Sequence, residues 1–336
     1  MSFLKPYIIL LVCLGFISPA IAMNASQQLA IIVNTNDPQS KRIADYYQLK
    51  RGIPDENIIK VNLPVDKKSI GREKFEQVYR QVKNSTPSYI QFYALAWSQP
   101  FRAGCMSITS AFAFGYDEAY CAKGCNSTRQ SAYFNSATRR PYHDLGIRPT
   151  MMLAGSSVEQ VRDMIDRGVD ADASYPKGTA YLVSTSDKAR NVRSHFYPLV
   201  ASQLGSRINI QIENTDALTG KKDVLFYITG LKQVENIDSN HFVNGAIADH
   251  LTSGGGILFG GRQMSILRWL EAGATASYGT VVEPCAFPQK FPNPVVLIDR
   301  YTRGETLIEA YWKSVAWPGQ GLFVGEPLAA PFAGII

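Results

Sequence analysis

Cys285 has the most reactive type of side chain in this sequence and lies where such a side chain could do chemistry. It falls in a proline-containing loop after a predicted strand, two residues after Glu283 and five before Lys290. A nearby ammonium group lowers the pKa of a thiol, and the thiolate is the nucleophilic form. Cys285 with Glu283 is therefore a candidate catalytic pair supported by Lys290, and the hydroxyl of Ser265 is a second candidate nucleophile.

The remaining cysteines favour a structural role over this catalytic one. Beyond residue 22 the chain has four cysteines, an even number that favours disulfides in an exported protein. One helical turn would bring the Cα atoms of Cys121 and Cys125 about 6 Å apart, within disulfide range. We therefore expect one Cys121–Cys125 bridge and one Cys105–Cys285 bridge, which would leave Cys285 without a free thiol. No histidine pair at ligand spacing accompanies the cysteines, so we expect no metal site.

His250 is the histidine nearest before Cys285, and the two together would suggest a cysteine–histidine dyad. A helix predicted over 242–251 would end close to His250. The end of a helix that precedes a strand lies at the opposite edge of the sheet from the loop containing Cys285. We therefore interpret His250 as a cation at a helix C-terminus.

The first 22 residues have the pattern of a secretory signal peptide. Lys5 precedes the apolar run 7–17, and Ala20-Ile21-Ala22 is a small-residue cleavage site. No later segment has 18 uncharged apolar residues, so we expect an exported, periplasmic or extracellular protein that does not span a membrane. The net charge of +6 includes no long basic run, so we expect no nucleic-acid partner. No cofactor motif is present, and we expect no cofactor.

The pattern of strands and helices predicts an α/β protein of two subdomains. A small α/β subdomain covers 23–170 and a large one covers 176–336. The small subdomain also includes an irregular, cysteine-containing segment at 96–149. In the small subdomain we predict strands at 30–33, 58–63 and 89–95, and helices at 38–51, 71–82 and 156–167. In the large subdomain we predict strands at 179–183, 208–212, 224–229, 256–260, 276–282 and 321–324, and helices at 188–204, 242–251, 264–270 and 306–314. Strands that alternate with helices pair in parallel.

Polar side chains follow many of these strands. In open parallel sheets, ligands bind beyond the carboxyl ends of the strands. The sequence therefore predicts one polar edge that holds a ligand, with these candidate residues: Asp37, Trp97, Gln99, Asp187, Arg190, Arg262, Gln263 and Lys290.

Several phrases resemble an exported bacterial family that accompanies the exosortase protein-sorting system. They include "ADHLTSGGG", "QMSILRWLEAGATASYGTVVEPC", "GETLIEAYWKSVAWPGQG" and "VGEPLAAPF". The resemblance spans nearly all of the chain after residue 22. That family brings no established activity.

The layout is also similar to the gingipain-type cysteine peptidases of the caspase-like clan. The segments "VLFYITG", "ILFGG", "GATASYGTV" and "LFVGEPL" occur in the order of that clan's large subdomain. The resemblance implies a caspase-like fold, with a His-Gly pair after the third strand of the large subdomain and a Cys after the fourth. Here those places hold Gly230-Leu231 and Gly261-Arg262-Gln263, so both catalytic residues are missing.

Two functions follow from these expectations. The first is a non-catalytic binding or assembly factor in bacterial surface export, whose polar edge holds a peptide, a glycan or an exported protein. The second is a hydrolase or transferase whose chemistry has moved to Cys285 or Ser265. The missing dyad favours the first.

Overall fold

The computed structural model describes residues 24–334, so the predicted signal peptide lies outside the described residues. The described chain forms a ten-stranded, mostly parallel sheet flanked by helices, with a separate three-stranded sheet. The strands are β1 (Leu29–Asn34), β2 (Ile58–Val61), β3 (Ser69–Ile70), β4 (Phe92–Leu95), β5 (Arg102–Ala103), β6 (Met106–Ser107), β7 (Thr150–Met152), β8 (Thr179–Ser184), β9 (Asn209–Asn214), β10 (Val224–Thr229), β11 (Phe242–His250), β12 (Ala276–Thr280) and β13 (Gly321–Gly325). The α-helices are α1 (Pro38–Arg51), α2 (Arg72–Ser85), α3 (Ile108–Phe114), α4 (Pro141–Leu145), α5 (Val158–Ala171), α6 (Tyr197–Leu204), α7 (Leu267–Glu271), α8 (Pro294–Thr302) and α9 (Leu307–Ser314).

The large sheet consists of two parallel blocks that run in opposite directions. The first block contains β2, β1, β4, β7 and β13, in that spatial order. The second block contains β12, β11, β10, β8 and β9. Antiparallel pairing of β12 with β13 joins them. The carboxyl ends of the two blocks therefore lie at opposite edges, and the single polar edge expected from the sequence is divided in two.

Local signals explain why α1 begins and ends as predicted. The Asp37 carboxylate accepts a hydrogen bond from Gln39 N at 2.9 Å, and Pro38 occupies the first helical position. Gly52 ends the helix in the left-handed conformation, with φ of 59°. All six residues of β1 are buried, as expected for a strand that is covered on both faces.

Three predicted elements differ from the structure. The segment 242–251 is the strand β11 instead of a helix, and 256–260 is a loop instead of a strand. Helix α5 begins at Val158, capped by Ser157, and continues past Gly168 to Ala171. Gly168 does not end the helix. It allows close packing there, because a Cβ at this position would lie 2.6 Å from Glu326 Oε2.

The segment 96–149 contains more regular structure than expected. It includes the short strands β5 and β6, the helix α3, in which all residues except Phe114 are buried, and α4. Ser107 caps α3 by accepting a hydrogen bond from Ser110 N at 3.0 Å. The segment is therefore packed against the sheet and held by regular hydrogen bonds.

Residues from both predicted subdomains share one core. One cluster of buried apolar side chains contains Ile31 of β1, Phe226 of β10 and Phe323 of β13. Strand β13, from the end of the chain, pairs with β7 of the first half.

Candidate functional site

The carboxyl edge of the second block brings together four of the predicted ligand-binding residues, which are Asp187, Arg190, Arg262 and Gln263. Arg190 forms an ion pair with Asp187 at 2.8 Å, and its Nε donates to Thr252 Oγ1 at 3.1 Å. Thr252 Oγ1 in turn donates to Gln263 Oε1 at 2.9 Å. This chain of hydrogen bonds connects the loops that follow β8 and β11 and fixes the position of Gln263.

The side chain of Gln263 has a defined orientation. Its Oε1 accepts from Thr252 Oγ1 and from the Gly254 backbone N–H at 2.6 Å. With the oxygen doubly occupied, the Nε2 amide group remains as a donor for a ligand. Gln263 is therefore a pre-positioned hydrogen-bond donor.

Two adjacent cavities meet at Arg262 and Gln263, and we call them together the groove. One cavity, of about 350 Å³, also contacts Glu235, Asp238 and Arg268. The other, of about 210 Å³, is lined by Ser253, Gly254, Ile257, Val281, Val282 and Glu283 as well as by the two shared residues. Arg262 and Gln263 of the predicted polar edge line both cavities, and Glu283 of the predicted catalytic pair lines the smaller one.

Two cations at the groove lack an acidic partner. Arg262 is exposed and makes no ion pair or side-chain hydrogen bond with residues 24–334. Lys68, from the loop after β2, reaches the same loop: its Nζ would lie 2.9 Å from a Cβ on Gly260. Arg268 differs, because its guanidinium is paired with Asp238 and Glu271. Arg262 therefore presents a free positive charge in the groove and Lys68 a second one beside it, while the exposed carboxylates of Glu235 and Glu283 also line the groove.

The cysteine pairs differ from the expected ones. Cys105 is bonded to Cys121 and Cys125 to Cys285, with Cα–Cα distances of 5.4 Å in both bridges. The expected Cys121–Cys125 bridge is wrong because the residues between them are not helical. Cys285 is bonded to Cys125 and has no free thiol, so the structure contradicts its proposed role as nucleophile.

The other candidates near Cys285 have structural contacts. Glu283 Oε1 accepts from the Cys285 backbone N–H at 2.8 Å, within its own loop. Lys290 is buried, and its Nζ donates to Asn126 O at 2.9 Å. Burial lowers the pKa of Lys290, and the nearby Glu283 charge opposes that shift. Ser265 Oγ accepts from Leu267 N at 3.3 Å at the start of α7.

His250 lies at a different place from the one predicted. Because β11 is a strand, His250 ends it at the carboxyl edge, the same edge as the groove. Its side chain is fully buried, Nδ1 accepts from Trp269 Nε1 at 2.9 Å, and Nε2 faces Met264 O at 3.1 Å. Burial lowers the pKa of His250 to about 4. Both ring nitrogens are therefore occupied and the ring is neutral.

The place that follows the third strand of the second block cannot hold a side chain. The segments 179–184, 209–214 and 224–229 are its first three strands, and Gly230 follows the third. A Cβ on Gly230 would lie 1.9 Å from Arg190 O. A histidine there would require the backbone to move.

The place that follows the fourth strand holds residues that sequence reasoning missed. With β11 as the fourth strand, Leu251, Thr252 and Ser253 follow it, instead of Arg262 and Gln263 as expected. Ser253 is half-buried, lines the groove, and its hydroxyl has no hydrogen-bond partner among residues 24–334. These residues were missed because the sequence predicted a helix over 242–251 instead of a strand. Lys68 was missed because it lies in the other half of the chain, and its sequence position does not indicate that it reaches this loop.

Asp37, Trp97 and Gln99 follow strands of the first block and so lie at the other edge of the sheet. Asp37 caps α1. Trp97 is fully buried, and its Nε1 donates to Pro100 O at 3.0 Å. These residues do not line the groove.

Within residues 24–334 no group of three histidine, cysteine or acidic side chains is arranged to hold a metal ion. In the same part of the chain, no helix has both the length and the apolar character needed to cross a membrane.

Comparisons with known proteins identify the fold. No family model matches the chain, and no curated protein matches it. One solved structure, described as "Structure of Protease", superposes on 92% of this chain and 79% of its own, with a TM-score of 0.50 and 9% sequence identity. At this identity the likeness shows the fold alone. The chain therefore has an α/β fold with a mostly parallel sheet flanked by helices, as predicted, and a protease shares it.

Proposed function

We propose that this protein binds an acidic peptide segment in the groove without cleaving it, on a protease-like scaffold. The observation that carries the proposal is the close contact at Gly230. Because a Cβ there would collide with Arg190 O, the place where the resemblance implies a catalytic histidine admits no side chain. The histidine that ends the next strand, His250, is buried and neutral.

The charges of Arg262 and Lys68 support an acidic ligand, although the carboxylates of Glu235 and Glu283 also line the groove. Arg262 and Lys68 lack acidic partners among the described residues, and Gln263 offers its amide N–H groups. Carboxylates form charge-assisted hydrogen bonds with guanidinium and amide donors. Ser253, with its free hydroxyl, adds a further donor.

The alternative, a hydrolase or transferase acting through Cys285 or Ser265, has less support. The thiol of Cys285 is in a disulfide, and Ser265 accepts a hydrogen bond at the first turn of α7. Within residues 24–334, neither side chain forms a hydrogen bond with a general base.

We further propose that the chain is exported and acts with an exported-protein partner in bacterial surface export. The two disulfides support an oxidising compartment. The resemblance to the exosortase-associated family supports the role in surface export.

Fluorescence anisotropy with labelled peptides tests the binding. We expect peptides that carry Asp or Glu to bind and their Lys-substituted counterparts not to. Losing a hydrogen bond to a charged group should lower the affinity of Arg262→Gln roughly tenfold to a hundredfold. Arg42→Gln is the matched control, because Arg42 is an exposed arginine on α1, paired with Glu159. Equal affinity for acidic and Lys-substituted peptides would disprove the proposal.

A further inference from the structure

A separate cavity, of about 360 Å³, lies close to the loop that contains Cys285. None of its lining residues also lines the groove. We call it the aromatic cavity. Its volume lies within the range of about 300–1,000 Å³ that is usual for small-molecule sites. Its lining residues include Gln130, Phe134, Phe196, Gln289, Asn293 and Trp317. A ligand in the aromatic cavity would therefore contact none of the residues that line the proposed peptide site.

Four aromatic rings line it, those of Phe134, Phe196, Phe291 and Trp317. Phe291 is buried and packs edge-on against Tyr278, with ring centroids 6.1 Å apart. Phe134, Phe196 and Trp317 are half-buried at the cavity. Half-buried rings at a cavity offer flat apolar faces to a ligand.

Amide groups supply the polar surface. Asn293 Oδ1 accepts from Val295 N and Val296 N at the start of α8, which leaves its Nδ2 as a free donor. The side-chain amides of Gln130 and Gln289 have no hydrogen-bond partner among residues 24–334. Among the described residues, none that lines the cavity carries a charge.

Backbone contacts hold the walls in place without a ligand. Ser131 N donates to Ala316 O, Asn293 N to Ser314 O, and Trp317 N to Gln289 O, each at 2.8 Å. The disulfide also ties the segment before Gln130 to the segment before Pro288. A preformed cavity binds a ligand at a low entropic cost.

We propose that the aromatic cavity binds a neutral saccharide. A charged ligand would lose its hydration there without gaining a counter-charge. A wholly apolar ligand would cover the half-buried amide donor of Asn293 without satisfying it. A neutral sugar ring fits both surfaces, because its C–H faces pack on aromatic rings while its hydroxyls bond to amides.

Tryptophan fluorescence of the full, oxidised chain tests the proposal. Trp97, Trp269 and Trp312 are fully buried, whereas Trp317 is half-buried at the cavity. We expect a saturable change in emission with a member of a panel of neutral mono- and oligosaccharides. That change should be absent in Trp317→Phe, with binding followed by calorimetry in the same variant.

Two variants separate this site from the groove and from misfolding. Asn293→Ser keeps an oxygen that caps α8 but loses the amide donor, so sugar affinity should fall roughly threefold to tenfold while the chain stays folded. Arg262→Gln should leave sugar affinity unchanged. The proposal is overturned if no neutral saccharide gives saturable binding, or if Asn293→Ser and Phe134→Ala both bind with wild-type affinity.

Discussion

At the scale of single residues, burial determines which charged and titratable groups at the groove are available. Arg262 is exposed and unpaired among the described residues, whereas His250 is fully buried. The residue types near the groove were predictable from the sequence, since Arg262, Gln263 and Glu283 all line it. Their burial and partners were not, because these depend on which strand precedes each loop.

His250 should make stability depend on pH. Burial lowers its folded-state pKa to about 4, below the unfolded value of about 6.5. The unfolded chain therefore takes up the proton first as the pH falls. The contribution is fully present above about pH 6.5 and is lost towards pH 4, by about 3 kcal/mol in total. Urea unfolding of wild type and His250→Gln between these pH values checks the prediction. An equal pH slope in both proteins would contradict it.

The buried ion pair between Arg193 and Asp249 should be sensitive to the loss of one partner. Both side chains are about 1% exposed, and Arg193 Nη2 lies 2.5 Å from Asp249 Oδ1. Asp249→Asn leaves a buried guanidinium without its counter-charge, so we expect a loss of about 3–5 kcal/mol in the free energy of unfolding. Glu159→Gln, at an exposed pair, should leave the urea midpoint unchanged. A wild-type midpoint for Asp249→Asn would refute the prediction.

At the scale of elements, the ends of a helix could be predicted from the sequence where a capping residue or a glycine marks them. Helix α1 was predicted from Asp37, Pro38 and Gly52. Strand β11 was missed because seven of its nine residues are buried, so its side chains show no alternation. Without that alternation, a nine-residue segment can be interpreted as a strand or as a helix.

The disulfides should contribute unequally. Cys125–Cys285 closes a loop with a sequence separation of 160, whereas Cys105–Cys121 has a separation of 16. Loop-closure entropy predicts a loss of about 5 kcal/mol for Cys125→Ser with Cys285→Ser, and of about 3 kcal/mol for the shorter bridge. Urea unfolding of the two double variants measures both losses. Peptide mapping without reduction should recover these two pairs, and a Cys121–Cys125 peptide would contradict the assignment.

At the scale of the whole molecule, the reversal of strand direction between the blocks could not be predicted from the order of elements. Alternating strands and helices indicate parallel pairing but do not say that β13 returns between β7 and β12. The Glu326 carboxylate, just after β13, accepts from Tyr47 of α1 at 2.6 Å and connects the end of the chain to the first block. The boundary expected between two subdomains near residues 170–176 therefore lies between two halves of the chain that share one sheet.

The shared sheet and core should make the molecule unfold as one unit. We expect a single calorimetric transition, with calorimetric and van't Hoff enthalpies in agreement. Two separate transitions would show that the halves unfold independently and would favour the two predicted subdomains as folding units.

Mass spectrometry of an acidic peptide pool, incubated with the full oxidised chain and then eluted from it, tests the central claim most directly. Binding without catalysis predicts that peptides carrying Asp or Glu are retained by the wild type, released by Arg262→Gln, and recovered with their full mass. Recovery of cleaved peptides from the wild type, with cleavage lost in Ser253→Ala or in Cys285→Ala, would contradict the account.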